Sequence, residues 1–363
     1  MKIVFILIVI IHALIHLLGF LKAYQLAEIN QLTQNISKPM GILWLIALIL
    51  FLAAAIQFIS NHDLWWITAL AAVILSQVLI ILFWQDAKFG TIPNIIILLV
   101  VVVAFADWSF NRDVKNEIAG MLAQNPIDKK EILTEEKIIH LPPIIQKWLR
   151  NSGAVGKEMI RTVRLKQIGK MKMKPEQEKW YEANAVQYFT VDNPAFIWKV
   201  KVDMIPLVFF TGRDKFSDGK GNMLIKVLSL FNVVNASDNE KINQGTLQRY
   251  LGETIWFPTA VVSPYIKWEE IDSLSAKATM TYKGTSGLAV FTFNENGDFV
   301  KFSAMRYKDS DEKAQLKEWI ITLSDYKVYD GIKIPVKGEA TWKLDDGDFT
   351  WYKLEVYDIE YNN

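Results

Sequence analysis

The first third of the chain contains four apolar stretches, each close to the length of a membrane span. They are Ile3 to Leu21, Met40 to Ile59, Leu64 to Trp84 and roughly Pro93 to Trp108. A helix needs about 20 apolar residues to cross a bilayer, and within lipid it satisfies all of its own backbone hydrogen bonds. The sequence therefore predicts an α-helical membrane bundle of four spans over residues 1–110.

Basic residues near the membrane indicate the orientation of the bundle only weakly. The loops after the first and third spans carry Lys22, Lys38 and Lys88, whereas Lys2, Arg112 and Lys115 lie on the opposite side. Because the two sides carry equal numbers of these basic residues, the positive-inside rule hardly favours either orientation. Because the stretch "WQDAKFG" is typical of a cytoplasmic turn, we expect a bacterial inner-membrane protein whose C-terminal part lies outside the cytoplasm.

His12 and His16 lie one helical turn apart in the first span. This spacing allows two imidazoles to share one metal or to contact one neighbouring helix. Gln57, Gln77 and Asp107 are the polar partners expected from the other spans. Two interpretations stay open, a metal or haem site and a set of hydrogen bonds between helices, and the second needs no further ligands. The sequence predicts no cofactor.

Charge and cysteine content exclude several classes of function. The formal net charge is +1, so no long-range field attracts nucleic acid. The chain has no cysteine, which rules out disulfides, a thiolate nucleophile and a zinc–thiolate centre.

After the spans, the composition changes to a polar, helix-prone linker at 111–140 and then to a soluble domain at 141–363. "IIQKWLRNSG" predicts a short amphipathic helix with Ile144, Trp148 and Leu149 inward and Gly153 as its C-terminal stop. This domain contains no histidine, serine or cluster of metal ligands in a pattern that would predict a catalytic or metal-binding residue.

Strand patterns dominate the rest of the soluble domain. In "FIWKVKVDM" the apolar residues alternate with Lys199, Lys201 and Asp203, and "AKATMTYKG" repeats this alternation. The dipeptides Asn296-Gly297, Asp330-Gly331 and Asp346-Gly347 predict hairpin turns. About ten strands without helical crossovers predict an α+β domain with a large curved antiparallel sheet, or an incomplete barrel, covered by helices.

"GTLQRYLGETIWFPTAVV" predicts the covering helix, with Thr246 as its N-cap and Pro258 ending it or starting the next one. Arg249 and Glu253 are spaced to pair along this helix. Three roles stay open for the pair: catalysis with Glu253 as base, a structural ion pair, or contact with a ligand.

Other polar and aromatic residues are interpreted more simply. "TGRDKFSDGKGNM", with Arg213, Asp214 and Asp218, lacks a full calcium-ligand series and predicts a solvated hairpin connection. The tryptophans fill a core or line an apolar cavity. The predicted ligand-binding residues of the domain are Arg249, Tyr250, Glu253, Trp256, Phe257, Trp198 and Trp268.

The soluble domain resembles an uncharacterised family of bacterial membrane-anchored proteins. The resemblance covers about Leu141 to Tyr361, and its most specific element is "RYLxExxWFP", here "RYLGETIWFP". "LPPIIQKWLRNSG", "AVQYFTVDNPAFIWKVKVDM" and "DKFSDGKGNM" also carry it. Relatives with this pattern often begin with a single anchor helix, which implies a domain outside the cytoplasm.

In its strand-rich pattern the domain is also similar to the lipoprotein carrier and receptor proteins of the bacterial envelope, the LolA/LolB-like group. "YKVYDGIKIPVKGEA" looks like the final hairpin of such domains. This resemblance implies a curved sheet around helices with a hydrophobic pocket for acyl chains, and it transfers no catalytic residue.

Three functions are therefore weighed. The first is binding of a lipid or another hydrophobic ligand at the envelope, with membrane lipids as partners. The second is an enzyme acting on a lipid-like substrate, in which Arg249 holds an anionic head group. The third is a structural or partner-docking protein, and the sequence identifies no protein partner.

Overall fold

The computed structural model describes residues 2–125, 130–206, 208–237, 239–309 and 313–363. The chain divides into two compact units. The first comprises Met1–Arg112 with Leu228–Leu230, and the second comprises Asp113–Val227 with Phe231–Asn363.

The first unit contains four helical segments that are long and apolar enough to cross a membrane. The helices in this part of the chain are α1 (Lys2–Ala23), α2 (Lys38–Ile59), α3 (Trp65–Leu82), the short α4 (Trp84–Ala87) and α5 (Thr91–Ala123), of which α5 extends beyond Arg112 into the second unit. The prediction of four such helices is confirmed. The last helix is longer than expected, because α5 continues past the predicted end at Trp108 into the polar residues 111–123.

Small residues allow the helices of the first unit to approach closely. Ala13, Ala47 and Ala72 are fully buried. A Cβ on Gly19 would lie 2.3 Å from the Trp44 ring, so only glycine fits at this contact between α1 and α2. Packing of small residues is the usual means of holding apolar helices together where lipid gives no hydrophobic driving force.

Two short helices open the second unit, α6 (Glu135–Ile138) and α7 (Pro143–Asn151). Ile144, Trp148 and Leu149 of α7 are buried, and Gly153 has a φ of +75° just after the helix. This is the amphipathic helix and glycine stop that the sequence predicted.

Among the described residues, thirteen antiparallel strands form one open, curved sheet, which confirms the predicted fold class and exceeds the expected strand number. In chain order the strands are β1 (Thr162–Met171), β2 (Tyr181–Thr190), β3 (Ala195–Ile205), β4 (Val208–Ser217), β5 (Lys220–Val227), β6 (Phe231–Ser237), β7 (Ile266–Asp272), β8 (Ser275–Tyr282), β9 (Thr285–Phe293), β10 (Phe299–Tyr307), β11 (Leu316–Tyr329), β12 (Ile332–Leu344) and β13 (Gly347–Tyr361).

The sheet consists of two meanders that meet in its centre. Strands β1 to β6 run outward to one edge, β7 to β13 run back from the other edge, and β13 pairs with β1. Asp330-Gly331 joins β11 to β12 with both residues at positive φ, as the Asp-Gly signal predicted.

Helix α8 (Glu240–Glu253) connects the two meanders and lies inside the curve of the sheet. It packs against β4 and β5 from one meander and against β8, β9 and β10 from the other. Strands from both halves reach the same helix only because the sheet is strongly bent. Two 3-10 segments follow, Thr254–Trp256 and Pro258–Val262, so Pro258 does start a new helical turn.

The predicted N-cap of α8 is wrong. Asn239 caps the helix, and its side chain accepts a hydrogen bond from the Lys241 amide at 2.9 Å. Thr246 instead lies buried within the helix, where its hydroxyl donates to the Ile242 carbonyl at 2.8 Å. The apolar stripe was predicted correctly, since Leu247, Tyr250 and Leu251 are buried.

Candidate functional site

A buried ion-pair cluster centres on Arg249 of α8. Its Nε lies 2.9 Å from Oε1 of Glu253, one turn along the helix, and its Nη1 lies 2.7 Å from Oδ2 of Asp214 on β4. The three side chains are only 13%, 12% and 5% exposed, so the cluster is largely removed from water. The predicted pairing of Arg249 with Glu253 is therefore present, and it is a desolvated pair.

Asp214 lies in a place that the sequence did not predict. It was assigned to a solvated hairpin connection, but Arg213 and Asp214 lie within β4 and are both buried. Only Asp218 and Gly219 form the turn itself, with φ values of 56° and 75°. Asp214 pairs across the strands with Trp198 of β3, which places its carboxylate on the inner face of the sheet beneath α8.

Aromatic rings enclose the Arg249 guanidinium. Its Cζ lies 4.7 Å from the centre of the Trp198 indole and 5.1 Å from that of the Phe196 ring. Both rings project from β3 toward the inner face. A cation over aromatic faces is favoured most where water is excluded, so these contacts help to keep a charge inside the domain.

From Glu253, a chain of hydrogen bonds continues across the sheet. Gln187 of β2 donates to Glu253 Oε2 at 2.8 Å, and Gln167 of β1 donates to Gln187 Oε1 at 3.2 Å. Gln167 Oε1 in turn accepts from the Trp198 indole at 2.9 Å and from the Tyr352 hydroxyl at 3.2 Å. The polar groups thus form one connected network on the inner face of β4, β2, β1 and β13.

Burial controls the electrostatics of this network. It raises the pKa of the Glu253 carboxyl, although Arg249 and Gln187 act in the opposite direction. Burial also raises the pKa of the Tyr352 hydroxyl. On β10, burial lowers the pKa of the Arg306 guanidinium to about 10, with Asp214 as the strongest charge that opposes this effect. A second arginine therefore belongs to the same electrostatic cluster.

Sequence reasoning missed Gln167, Gln187 and Arg306, although the pattern contains a signal for the two glutamines. In β2 the inward positions read Ala183, Ala185, Gln187, and in β1 Gln167 likewise continues an inward apolar series. A polar residue at an inward position of an alternating strand marks a group that must be hydrogen-bonded inside the fold.

The remaining predicted site residues divide into two groups. Arg249, Glu253 and Trp198 come together in the network. Tyr250, Trp256 and Phe257 lie in the packed core, and Trp268 packs beside them. Their polar atoms are satisfied there: the Tyr250 hydroxyl donates to the Thr190 carbonyl at 3.0 Å, Trp256 Nε1 to the Pro335 carbonyl at 3.1 Å, and Trp268 Nε1 to the Val261 carbonyl at 2.9 Å.

A second polar cluster lies inside the helical unit. His12 Nε2 lies 2.9 Å from Asn94 Oδ1 and 3.2 Å from Ser76 Oγ, and His16 Nε2 lies 2.9 Å from the same Ser76 Oγ. Gln77 joins the cluster through Asn94. The expected contacts of the histidines with Gln57 and Asp107 are replaced by those with Ser76 and Asn94. The described residues contain no group of three or more His, Cys, Asp or Glu able to hold a metal ion.

Comparison with known proteins gives a family and likenesses to solved structures. A family model described as "Family of unknown function (DUF6544)" matches residues 131–354, a range that contains every member of the β-domain network. No curated protein matches the chain.

The fold is similar to two solved structures at 10% sequence identity. One is a LolA superfamily protein from Nitrosomonas europaea, with a TM-score of 0.31 over 60% of this chain and 94% of that one. The other is a beta-barrel-like protein of the domain of unknown function DUF1849 from Brucella abortus, with a TM-score of 0.28 over 56% of this chain and 99% of that one.

Proposed function

Because the chain belongs to the DUF6544 family, which is described as being of unknown function, we propose a function from its geometry. The β domain binds a lipid or another hydrophobic ligand on the inner face of the curved sheet. The four apolar helices hold this domain at a bacterial inner membrane, and the domain lies on the extracytoplasmic side.

The observation that carries this proposal is the buried polar network in a face that is otherwise apolar and rich in aromatic rings. If the inner face served only as a packed core, apolar side chains would make the domain more stable. The free energy needed to remove charges from water is larger than the stabilisation that most buried ion pairs provide. Asp214 Oδ1 is buried and, among the described residues, has no hydrogen-bond partner. An unfilled acceptor of this kind fits a hydroxyl or amide group of a bound ligand.

Apolar side chains beside the network support a hydrophobic ligand. Trp319, Trp342 and Phe349 are direct cross-strand neighbours on β11, β12 and β13. Leu344 and Trp351 pack against the core at the same end of these strands but are only partly buried. A continuous aromatic surface with a few convergent polar groups is the usual composition of a small-molecule site.

The test is ligand binding by the full-length protein purified in detergent. We expect a lipid to be found by mass spectrometry after solvent extraction, and a fluorescent fatty-acyl probe to bind and to be displaced by that lipid. Asp214→Asn removes the charged acceptor at nearly constant shape, and it should weaken binding of the extracted lipid, whose hydroxyl or amide group donates to Asp214, about tenfold or more. Asp348→Asn is the matched control, because Asp348 lies exposed on β13.

Absence of both a co-purified lipid and displaceable probe binding in the wild-type protein would contradict the proposal. Equal loss of binding in Asp214→Asn and Asp348→Asn would contradict the assignment of the network as the site. The melting temperature of each variant, measured on the same samples, separates loss of the site from loss of the fold.

A further inference from the structure

We infer that the ligand of the β domain carries an anionic head group, a carboxylate or a phosphate, and that Arg306 and Trp319 bind it. This inference rests on the proposed function and specifies the class of ligand. It concerns two residues that the sequence pattern did not single out.

Arg306 is held in place by its surroundings on β10. Its guanidinium lies over the Trp319 indole, with 4.5 Å between Cζ and the ring centre. On the other side it approaches helix α8, where a Cβ on Gly245 would lie 2.8 Å from Arg306 Nε. The guanidinium is thus positioned between an aromatic ring and a glycine of the helix, and it is partly exposed.

The donors of this pair have no acceptor. Within the described ranges, no hydrogen bond or ion pair involves the Arg306 side chain, whereas the neighbouring Arg249 contacts two carboxylates. Trp319 is 5% exposed, and its indole Nε1 is buried without a partner among the described residues. Buried donors are nearly always paired in folded proteins, so a missing acceptor is expected at the Trp319 indole, beside the unpaired Arg306 guanidinium.

The charge balance indicates that the missing acceptor is negative. Asp214 and Glu253 are the carboxylates that act on Arg306, and both already form ion pairs with Arg249. The pKa of Arg306 stays near 10, so its guanidinium is charged at neutral pH and lacks a counterion.

The remainder of the ligand follows from the neighbours of Trp319. Trp319 pairs across the strands with Trp342, and Trp342 pairs with Phe349. An acyl chain that starts at the Arg306 guanidinium therefore meets a row of aromatic rings. An arginine fork binds carboxylate and phosphate oxygens in the same planar manner, so the guanidinium matches the head group of a fatty acid or of an anionic phospholipid.

The experiment compares matched probes on the full-length protein in detergent. The probes are palmitate, the neutral hexadecanol of equal chain length, and inorganic phosphate alone. We expect wild-type protein to bind palmitate more tightly than hexadecanol. Arg306→Gln should weaken palmitate binding at least about tenfold and leave hexadecanol binding within about twofold, because only the charged head group contacts the guanidinium.

Two further variants sharpen the result. Lys308→Gln removes a positive charge at an exposed position two residues away and should leave both affinities unchanged. Arg306→Lys should recover only part of the palmitate affinity, because an ammonium lacks the planar fork. Inorganic phosphate should compete with palmitate in the wild type but not in Arg306→Gln.

The outcomes distinguish this inference from the function on which it rests. If neither palmitate nor hexadecanol binds the wild type, the proposed function fails and the inference fails with it. If both bind and Arg306→Gln leaves their ratio unchanged, the binding function stands and the anionic head group is wrong. Tight binding of phosphate without any binding of palmitate or hexadecanol would also overturn it, since the ligand would then be a free anion.

Discussion

At the scale of single residues, ionisation of Glu253 destabilises the folded state. It faces Arg249 on its own helix, Asp214 from β4 and Gln187 from β2, and Arg306 of β10 and Tyr352 of β13 interact with the same cluster. Burial outweighs the attraction to Arg249 and raises the pKa of Glu253 above its ordinary value of 4.5. A neutral Glu253 is thus more compatible with the folded state than a charged one.

This shift predicts a pH dependence of stability. A group with a raised pKa in the folded state contributes stability below its unfolded pKa, and this contribution is lost as the pH rises through the folded pKa. Wild-type protein should therefore lose stability relative to Glu253→Gln as the pH rises above 4.5. Thermal melting of both proteins across this range measures the effect.

A difference that grows in favour of the wild type as pH rises would show that Arg249 dominates and that the pKa of Glu253 is lowered. The same variant also tests the enzymatic alternative. An enzyme with Glu253 as its base would lose turnover of a fatty-acyl ester in Glu253→Gln with no change of melting temperature, whereas a structural pair would show the opposite.

How much of the site could be predicted depends on how far apart its members are in the sequence. Arg249 and Glu253 lie one helical turn apart, so their pairing follows from helix geometry alone. Asp214 lies 35 residues before Arg249, in a run rich in Asp, Gly and Lys that resembles a loop. Its burial depends on the registration of β4 with β3, which residue types alone do not determine.

At the scale of secondary-structure elements, α8 is held by close approaches at its glycines. A Cβ on Gly252 would lie 3.0 Å from the Phe302 ring, and one on Gly245 would meet the Arg306 side chain. Glycine lowers helix propensity, which explains why the first turns of α8 were not recognised in "NEKINQG". The helix is stabilised by packing on the sheet rather than by its own sequence.

The corrected start of α8 gives a direct prediction. Asn239→Ala removes the side-chain acceptor of the Lys241 amide and should lower the free energy of unfolding by about 1 kcal/mol. Asn235→Ala, at an exposed position of β6, is the control and should have little effect. Denaturant unfolding of the two variants measures the difference. Equal stability of both variants would contradict the assignment of Asn239 as the N-cap.

At the scale of the whole molecule, the local hairpins could be predicted and the central strand pairing could not. Turn signals such as Asp330-Gly331 connect strands that are neighbours in the sequence. The pair β1 and β13 joins Val163 to Tyr361 across almost the entire domain. No short pattern encodes a contact at that separation, so the sequence predicted a curved sheet without giving the order of its strands.

Membrane orientation is tested by single cysteines, because the natural chain contains none. In the proposed topology of four spans, the loop at Asp63 and the β domain lie on one side, and the loop at Glu28 lies on the other. We expect Asp63→Cys and Glu176→Cys to react with a membrane-impermeant maleimide in spheroplasts, and Glu28→Cys to react only after lysis. All three positions are exposed. The reverse pattern would place the domain in the cytoplasm.

The unjoined edges of the sheet affect the range of molecules that the domain can hold. In a closed barrel, strand number and stagger set the diameter, so the width of the interior is fixed. Here β6 and β7 are the two edge strands of the sheet. They are not joined by hydrogen bonds between strands, and α8 instead packs against both halves of the sheet. Small changes of twist between neighbouring strands widen the concave face without breaking a strand pair, so we expect the proposed site to accept ligands of different width.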